Sequence, residues 1–116
     1  MSEFDFERLR SSLENRDVEQ LLGLYDRSAT ATVFNKHTPP SSPFQTSGWS
    51  EFETYIRDVC DRDLVHQVGN EVVGPKRVSY SETCTYPNGT KVVAANFLEL
   101  NDGLITKQTV VETWDE

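Results

Sequence analysis

Apolar residues recur at helical spacing in the first half of the chain and at every second position in the last half. Phe6, Leu9 and Leu13 fall three and four apart, and Val18, Leu21, Leu22 and Tyr25 form a second stripe of the same period. Asn15-Arg16-Asp17 interrupts them, which predicts two short helices in a hairpin, with one continuous helix as the alternative. Asp17 is placed to cap the second helix, and Glu19 sits in its first turn, where the positive end of the helix dipole favours an acid. Residues 29–35 alternate and are rich in β-branched side chains, so they read as a short strand. Residues 36–48, with Pro39, Pro40 and Pro43 among serines and threonines, read as a loop that is long for a compact domain. Ser50 and Glu53 have capping-box spacing, and Phe52, Tyr55, Ile56 and Val59 line one face of a third helix.

From Leu64 the period is two. Strands are predicted over 64–73, 77–86, 91–100 and 104–114, broken by Gly74-Pro75-Lys76, Pro87-Asn88-Gly89-Thr90 and Asn101-Asp102-Gly103. Asn88-Gly89 predicts a type I′ hairpin turn, because both residues tolerate positive φ. Short turns between long strands make an antiparallel meander. Helices followed by a sheet define an α+β domain, with the helices covering one sheet face.

Alternation divides each strand between two faces. The set with more aromatic and aliphatic bulk is assigned to the helix side: His66, Val68, Asn70 and Val72; Val78, Tyr80, Glu82, Cys84 and Tyr86; Val92, Ala94, Asn96, Leu98 and Leu100; Leu104, Thr106, Gln108, Val110, Glu112 and Trp114. A β-bulge would exchange the faces beyond it. His66, Glu82, Asn96, Gln108 and Glu112 are polar members of this inward set. They either bond to one another and to water, or converge on a cavity that is mostly apolar with a few directed polar groups.

Composition narrows the functions open to such a domain. At 116 residues the chain has room for a single domain, spanning 1–116. Nineteen acids against eleven bases give a net charge of −8, spread evenly, which argues against a nucleic-acid surface and against docking on anionic lipid. No apolar run reaches the ~20 residues of a membrane span, and the acidic start lacks the layout of a signal peptide. Cytoplasmic residence is the expectation, with Cys60 and Cys84 as reduced thiols. Their spacing makes neither a disulfide framework nor a zinc site. Cys60, Asp61, Asp63, His66 and Cys84 match no ligand pattern, so no metal and no cofactor are expected.

Individual residues carry two readings. Imidazole is the side chain whose ordinary titration lies nearest neutrality, so His66 suits proton transfer, or is a hydrogen-bonded structural histidine. Glu82 and Glu112 become acid or base candidates if desolvated, and Glu112 is also close enough to the end to be solvated. Tyr80, Tyr86, Trp114 and Val110 read as core or cavity wall. Cys84 reads as a small buried thiol or as a nucleophile paired with His66. Asn35, His37 and Thr38 offer polar groups to a cavity rim, a dimer contact or plain surface.

The order of elements resembles the nuclear transport factor 2-like superfamily, which includes SnoaL-like cyclases and ketosteroid isomerases. The residues that carry the resemblance are Glu14-Asn15-Arg16-Asp17-Val18-Glu19-Gln20-Leu21-Leu22-Gly23-Leu24-Tyr25, the helix from Gly48 to Cys60, Leu64-Val65-His66-Gln67-Val68, and Glu99-Leu100-Asn101-Asp102-Gly103-Leu104-Ile105. The Asn-x-x-Thr-Pro-Pro-Ser-Ser loop from Asn35 to Ser42 and Asp58-Val59-Cys60 are similar to small bacterial, often actinobacterial members. The resemblance implies a cone-like, cystatin-like α+β fold, with N-terminal helices packed on a curved, mostly antiparallel sheet. It also implies an apolar cavity and a homodimer through the open sheet face, here the face of Ser79, Thr83, Phe97 and Lys107. It implies no reaction, because one fold hosts many functions.

The isomerases' catalytic residues do not carry over intact. Their base Asp would fall in Thr32-Val33-Phe34-Asn35, which holds no carboxylate, and their oxyanion Tyr falls near Leu9. Their protonated Asp falls near Asn96, which can still donate a hydrogen bond. The cyclases' last-strand Asp has Glu112 and Asp115 as its nearest counterparts. Two functions are therefore expected in parallel. One is a pocket protein for a small hydrophobic carbonyl or ring compound, with His66 and Glu82 moving protons and Asn96 polarising a carbonyl. The other is a non-catalytic dimeric binding or assembly module.

Overall fold

The computed structural model describes residues 4–115. Its elements are α1 (Phe6–Glu14), α2 (Val18–Leu22), β1 (Tyr25–Phe34), β2 (Phe44–Gln45), α3 (Gly48–Asp61), β3 (Val65–Val73), β4 (Arg77–Thr85), β5 (Lys91–Asn101) and β6 (Leu104–Trp114). The strands form one six-stranded sheet in the order β2-β1-β6-β5-β4-β3. β3 to β6 are the predicted antiparallel meander, and β1 adds to β6 in parallel.

The helical hairpin forms as two segments. Asp5 and Asp17 cap them by accepting from the backbone N–H of Arg8 and Gln20, and Arg16 turns the corner at φ 54°. The second stripe ends sooner than its spacing predicts: Tyr25 belongs to β1, which begins four residues before the predicted strand at 29. The 36–48 stretch also contains a short strand, β2, that pairs with β1 through Thr32 and Val33. α3 starts at Gly48 with Ser47 as its N-cap, so the Ser50–Glu53 capping box is not used. The Glu51 carboxylate instead accepts from the Ser47 N–H at 2.8 Å.

The helices cover one face of the sheet. Leu9, Phe52, Leu98 and Ile105 are at most 1% exposed and form the centre of the core. α1 lies on β3, where Arg10 donates to the Val68 carbonyl and to Glu71, and Glu14 accepts from the Val68 N–H. α3 lies across β1.

Two bulges overturn part of the face assignment. In β3 the register shifts between Gly69 and Val72 around Asn70, whose φ is 55°, and Asn70 and Val72 point to solvent. In β6 the register shifts beside Thr106, so Ile105, assigned outward, is fully buried, and Leu104, assigned inward, is 36% exposed. The turn after β4 also differs from expectation. Its corners are Pro87 and Asn88, and only Gly89 takes positive φ (90°), because the proline ring holds φ near −65° and excludes a type I′ turn. Asp102 and Gly103, both at positive φ, form the type I′ pair at the β5–β6 hairpin.

Candidate functional site

Six polar side chains are buried among the described residues, and four of them lie on the helix-covered sheet face: His66, Glu82, Asn96 and Gln108. Their placement follows from the register. His66 is opposite Cys84, Glu82 opposite Ala94, Asn96 opposite Val110, and Gln108 opposite Leu98. Each polar residue is one same-face step along from its neighbour on the next strand. The four therefore run diagonally across β3, β4, β5 and β6, as diagonal cross-strand neighbours within side-chain reach.

The line divides into two hydrogen-bonded pairs. His66 Nδ1 is 2.6 Å from Glu82 Oε2, and the Cys84 Sγ lies 3.4 Å from the same nitrogen. Gln108 Nε2 donates to Asn96 Oδ1 at 2.9 Å, and the Tyr25 hydroxyl donates to Gln108 Oε1 at 2.5 Å. Among the described residues, two buried side-chain polar atoms are left without a partner: His66 Nε2 and Asn96 Nδ2. Leaving a buried polar atom unsatisfied costs about 1–3 kcal/mol, so a pair of them needs a reason.

Both residues line one interior cavity of about 60 Å³, together with Tyr25, Tyr55, Tyr80, Glu82, Cys84, Gln108, Val110, Glu112 and Trp114. That volume holds a few waters or a small functional group. Enclosing a whole drug-sized ligand takes roughly 300 Å³ or more. The cavity shares Tyr55, Arg62, Glu112 and Trp114 with a neighbouring depression of about 980 Å³ that Val33, Asn35, Thr38 and Phe44 also line.

Burial governs the ionisation of the walls. It pushes Tyr25 and Tyr80 well above the ordinary phenol value, and Tyr55 upward as well, with the Glu112 charge adding to the effect on Tyr55. The Cys84 thiol is pushed up to about 12, first by burial and then by the Glu82 charge. Burial likewise pushes Cys60 up to about 11. A raised thiol pKa disfavours the thiolate at neutral pH.

His66 Nδ1, Glu82 Oε2 and Cys84 Sγ lie within 4.8 Å of one another and are the set that could converge on a cation among the described residues. At 2.6 Å the imidazole and carboxylate are joined by a hydrogen bond, closer than two ligands of one tetrahedral ion sit. The five-residue grouping weighed from the sequence is not assembled, since Asp61 and Asp63 are exposed.

The rim divides differently from expectation. Asn35 Nδ2 donates to Glu112 Oε1 at 2.9 Å, and Asn35 Oδ1 accepts from the His37 and Thr38 N–H groups. Glu112 is thus held at the neck instead of being free in water. The exposed His37 ring stacks on Trp114 at 5.2 Å, outside both spaces. Three polar residues of the cavity lining escaped sequence reasoning. Tyr25 was absorbed into a helical stripe, Tyr55 counted only as helix face, and Arg62 lies beyond the end of α3. Gly23 just before Tyr25 was the available signal that the helix had already stopped.

A helix-lined cone over a curved sheet, with a polar line at the base of its cavity, defines the nuclear transport factor 2-like fold. Comparison with solved structures gives the same fold. A nuclear transport factor 2-like protein of unknown function from Mesorhizobium loti superposes with a TM-score of 0.78 at 14% identity, covering 93% of this chain and 87% of that one. The Δ5-3-ketosteroid isomerase from a Mycobacterium species gives 0.66 at 16% identity, covering 95% of each chain. A Silicibacter pomeroyi protein with a cystatin-like fold gives 0.74 at 15% identity, covering 93% of this chain and 72% of that one. No family model and no curated protein sequence matches the chain. No helix among the described residues is long and apolar enough to cross a membrane.

Proposed function

We propose that this chain binds a small hydrophobic carbonyl or ring compound and moves a proton on it, as in an isomerisation, cyclisation or hydration. One observation carries the reading: the two residues with an unpartnered buried polar atom, His66 (Nε2) and Asn96 (Nδ2), both line one cavity. A carboxylate only accepts, so the hydrogen between Glu82 and His66 belongs on Nδ1, and in the neutral imidazole Nε2 carries a lone pair. Asn96 Nδ2 has N–H to donate. A carbonyl compound satisfies both: its oxygen accepts from Asn96, and an acidic C–H beside the carbonyl faces His66.

The step balances within these groups. Nε2 takes the α-proton, the C–H pair moves into the enolate, and the developing oxyanion is stabilised by Asn96. Glu82 stabilises the imidazolium that forms. Where the ketone is β,γ-unsaturated, return of the proton to the γ-carbon of the dienolate completes an isomerisation. A homodimer belongs to the same reading, supported by Val93, Phe97 and Val111, which lie together, 43–51% exposed, on the uncovered sheet face.

The test is α-hydrogen exchange. Cyclohexanone in D₂O, followed by ¹H NMR, is expected to exchange faster with the protein than with buffer at equal pH, and His66→Gln is expected to remove at least about 100-fold of that acceleration. Binding without acceleration removes the proton chemistry and leaves a binding module. Neither binding nor acceleration refutes the reading.

A further inference from the structure

The direction of the Tyr25–Gln108–Asn96 chain has a chemical consequence for what the cavity accepts. An amide can point either way around, and each orientation of Asn96 presents a different group to the cavity. With its Oδ1 bonded to Gln108 Nε2, Asn96, which lines the cavity, keeps a donor uncommitted; with the amides reversed, it would keep an acceptor. Nothing in Asn96 itself decides between them. Tyr25 does. Its hydroxyl is buried at the start of β1, its ring is packed 4.8 Å from that of Phe52, and its hydroxyl hydrogen has Gln108 Oε1 to go to. If the amides reversed, Gln108 would donate to the phenol oxygen, and the phenol hydrogen would be stranded in the core. Burial keeps this phenol protonated far above neutral pH, so the donor does not disappear on titration.

We infer that Tyr25 is a positioning residue that sets the polarity of the cavity: through Gln108 it turns the Asn96 NH₂ inward, so that the site selects ligands presenting a hydrogen-bond acceptor at that point. The selection deepens the carbonyl-pocket reading and rests on it. The orientation itself is a property of the empty protein.

Two measurements separate the two claims. Neutron diffraction from a deuterated crystal distinguishes nitrogen from oxygen and locates the hydroxyl deuteron. It is expected to place that deuteron between Tyr25 Oη and Gln108 Oε1, with the Asn96 ND₂ toward the cavity. The reversed arrangement overturns the inference, whatever binds. The second measurement compares cyclohexanone with methylenecyclohexane, the same ring with C=CH₂ in place of C=O, by NMR titration. Wild-type protein is expected to prefer the ketone by about tenfold or more, because a buried donor rejects an isostere that cannot accept. Tyr25→Phe keeps the ring and its packing on Phe52, and frees both amides to turn. Its preference is expected to fall to about threefold or less, while Ser12→Ala, a control that removes a buried hydroxyl away from the cavity, keeps it. An unchanged preference in Tyr25→Phe overturns the positioning role. If wild-type protein binds neither ring, the carbonyl-pocket reading and the ligand selection built on it fail together, and the diffraction result alone then decides the amide orientation.

Discussion

Replacing Glu82 by Leu strands a histidine. The His66 side chain is 1% exposed, Nδ1 would lose its 2.6 Å partner, and Nε2 has none already. Both ring nitrogens would then be buried with only the Cys84 thiol near one of them. Removing one partner of a buried hydrogen bond to a carboxylate costs about 3 kcal/mol, since the survivor stays desolvated and unpaired. His66→Leu strands the Glu82 carboxylate in the same way and costs a similar amount. The double variant removes both polar groups and fills the space with apolar atoms, so its cost is expected to be about 2 kcal/mol or less, below either single change. The assay is urea unfolding followed by circular dichroism for the four members of the cycle, with melting temperatures as a check. At this chain length, 1 kcal/mol corresponds to a shift of about 4 °C. Both single variants should therefore melt about 12 °C lower, and the double variant should recover part of the loss. A double variant that costs the sum of the singles would show the two side chains to be energetically independent. That would refute the buried dyad on which the proton-transfer role of His66 rests.

Other expectations follow from the same structure. Cys60 and Cys84, with thiols pushed up to about 11 and 12, should react with iodoacetamide far more slowly in the folded protein at pH 8 than after unfolding in urea, as mass spectrometry would read. The fold holds these protons, and those of the buried tyrosines, more tightly than the unfolded chain does. Their stabilising contribution is whole below the ordinary thiol value of 9.0 and is lost as pH climbs through 11 and 12, so urea midpoints should fall steadily above about pH 9. Sedimentation at micromolar concentration should show a dimer of the wild-type chain and a monomer of Phe97→Arg, which places a charge on the uncovered sheet face. A wild-type monomer would contradict the proposed association.

Much of the meander was legible because its punctuation is chemical. Gly74-Pro75, Pro87-Asn88-Gly89 and Asp102-Gly103 mark turns that few other residues could make, and alternation between them sets the faces of β4 and β5 without error. The failures at Asn70, Ile105 and Leu104 share one cause. A bulge adds a single residue to one strand, leaves no compositional mark of its own, and reverses the faces of everything beyond it. The polar members of the site were recognisable as polar residues on an apolar face, and the line through His66, Glu82, Asn96 and Gln108 was implicit in the turn lengths that fix register. The role of Tyr25 was not legible. It depends on a parallel pairing between the first long strand and the last, and sequence spacing carries no information about strands so far apart.

That pairing also orders events in time. The pairing of Tyr25 and Ala31 with Ile105 and Gln108 has to wait for β6, the last strand in the sequence. Until then β1, with Ala29, Ala31 and Val33 on its inward face, has only the two-residue β2 beside it. Contacts of such long sequence separation are paid for in loop entropy before they return any stability, so closure of β1 onto β6 is expected to be the slow step of folding. The cavity is then expected to be completed last, and the Tyr25–Gln108 bond that sets its polarity spans this seam, so stability and selectivity are expected to arise together.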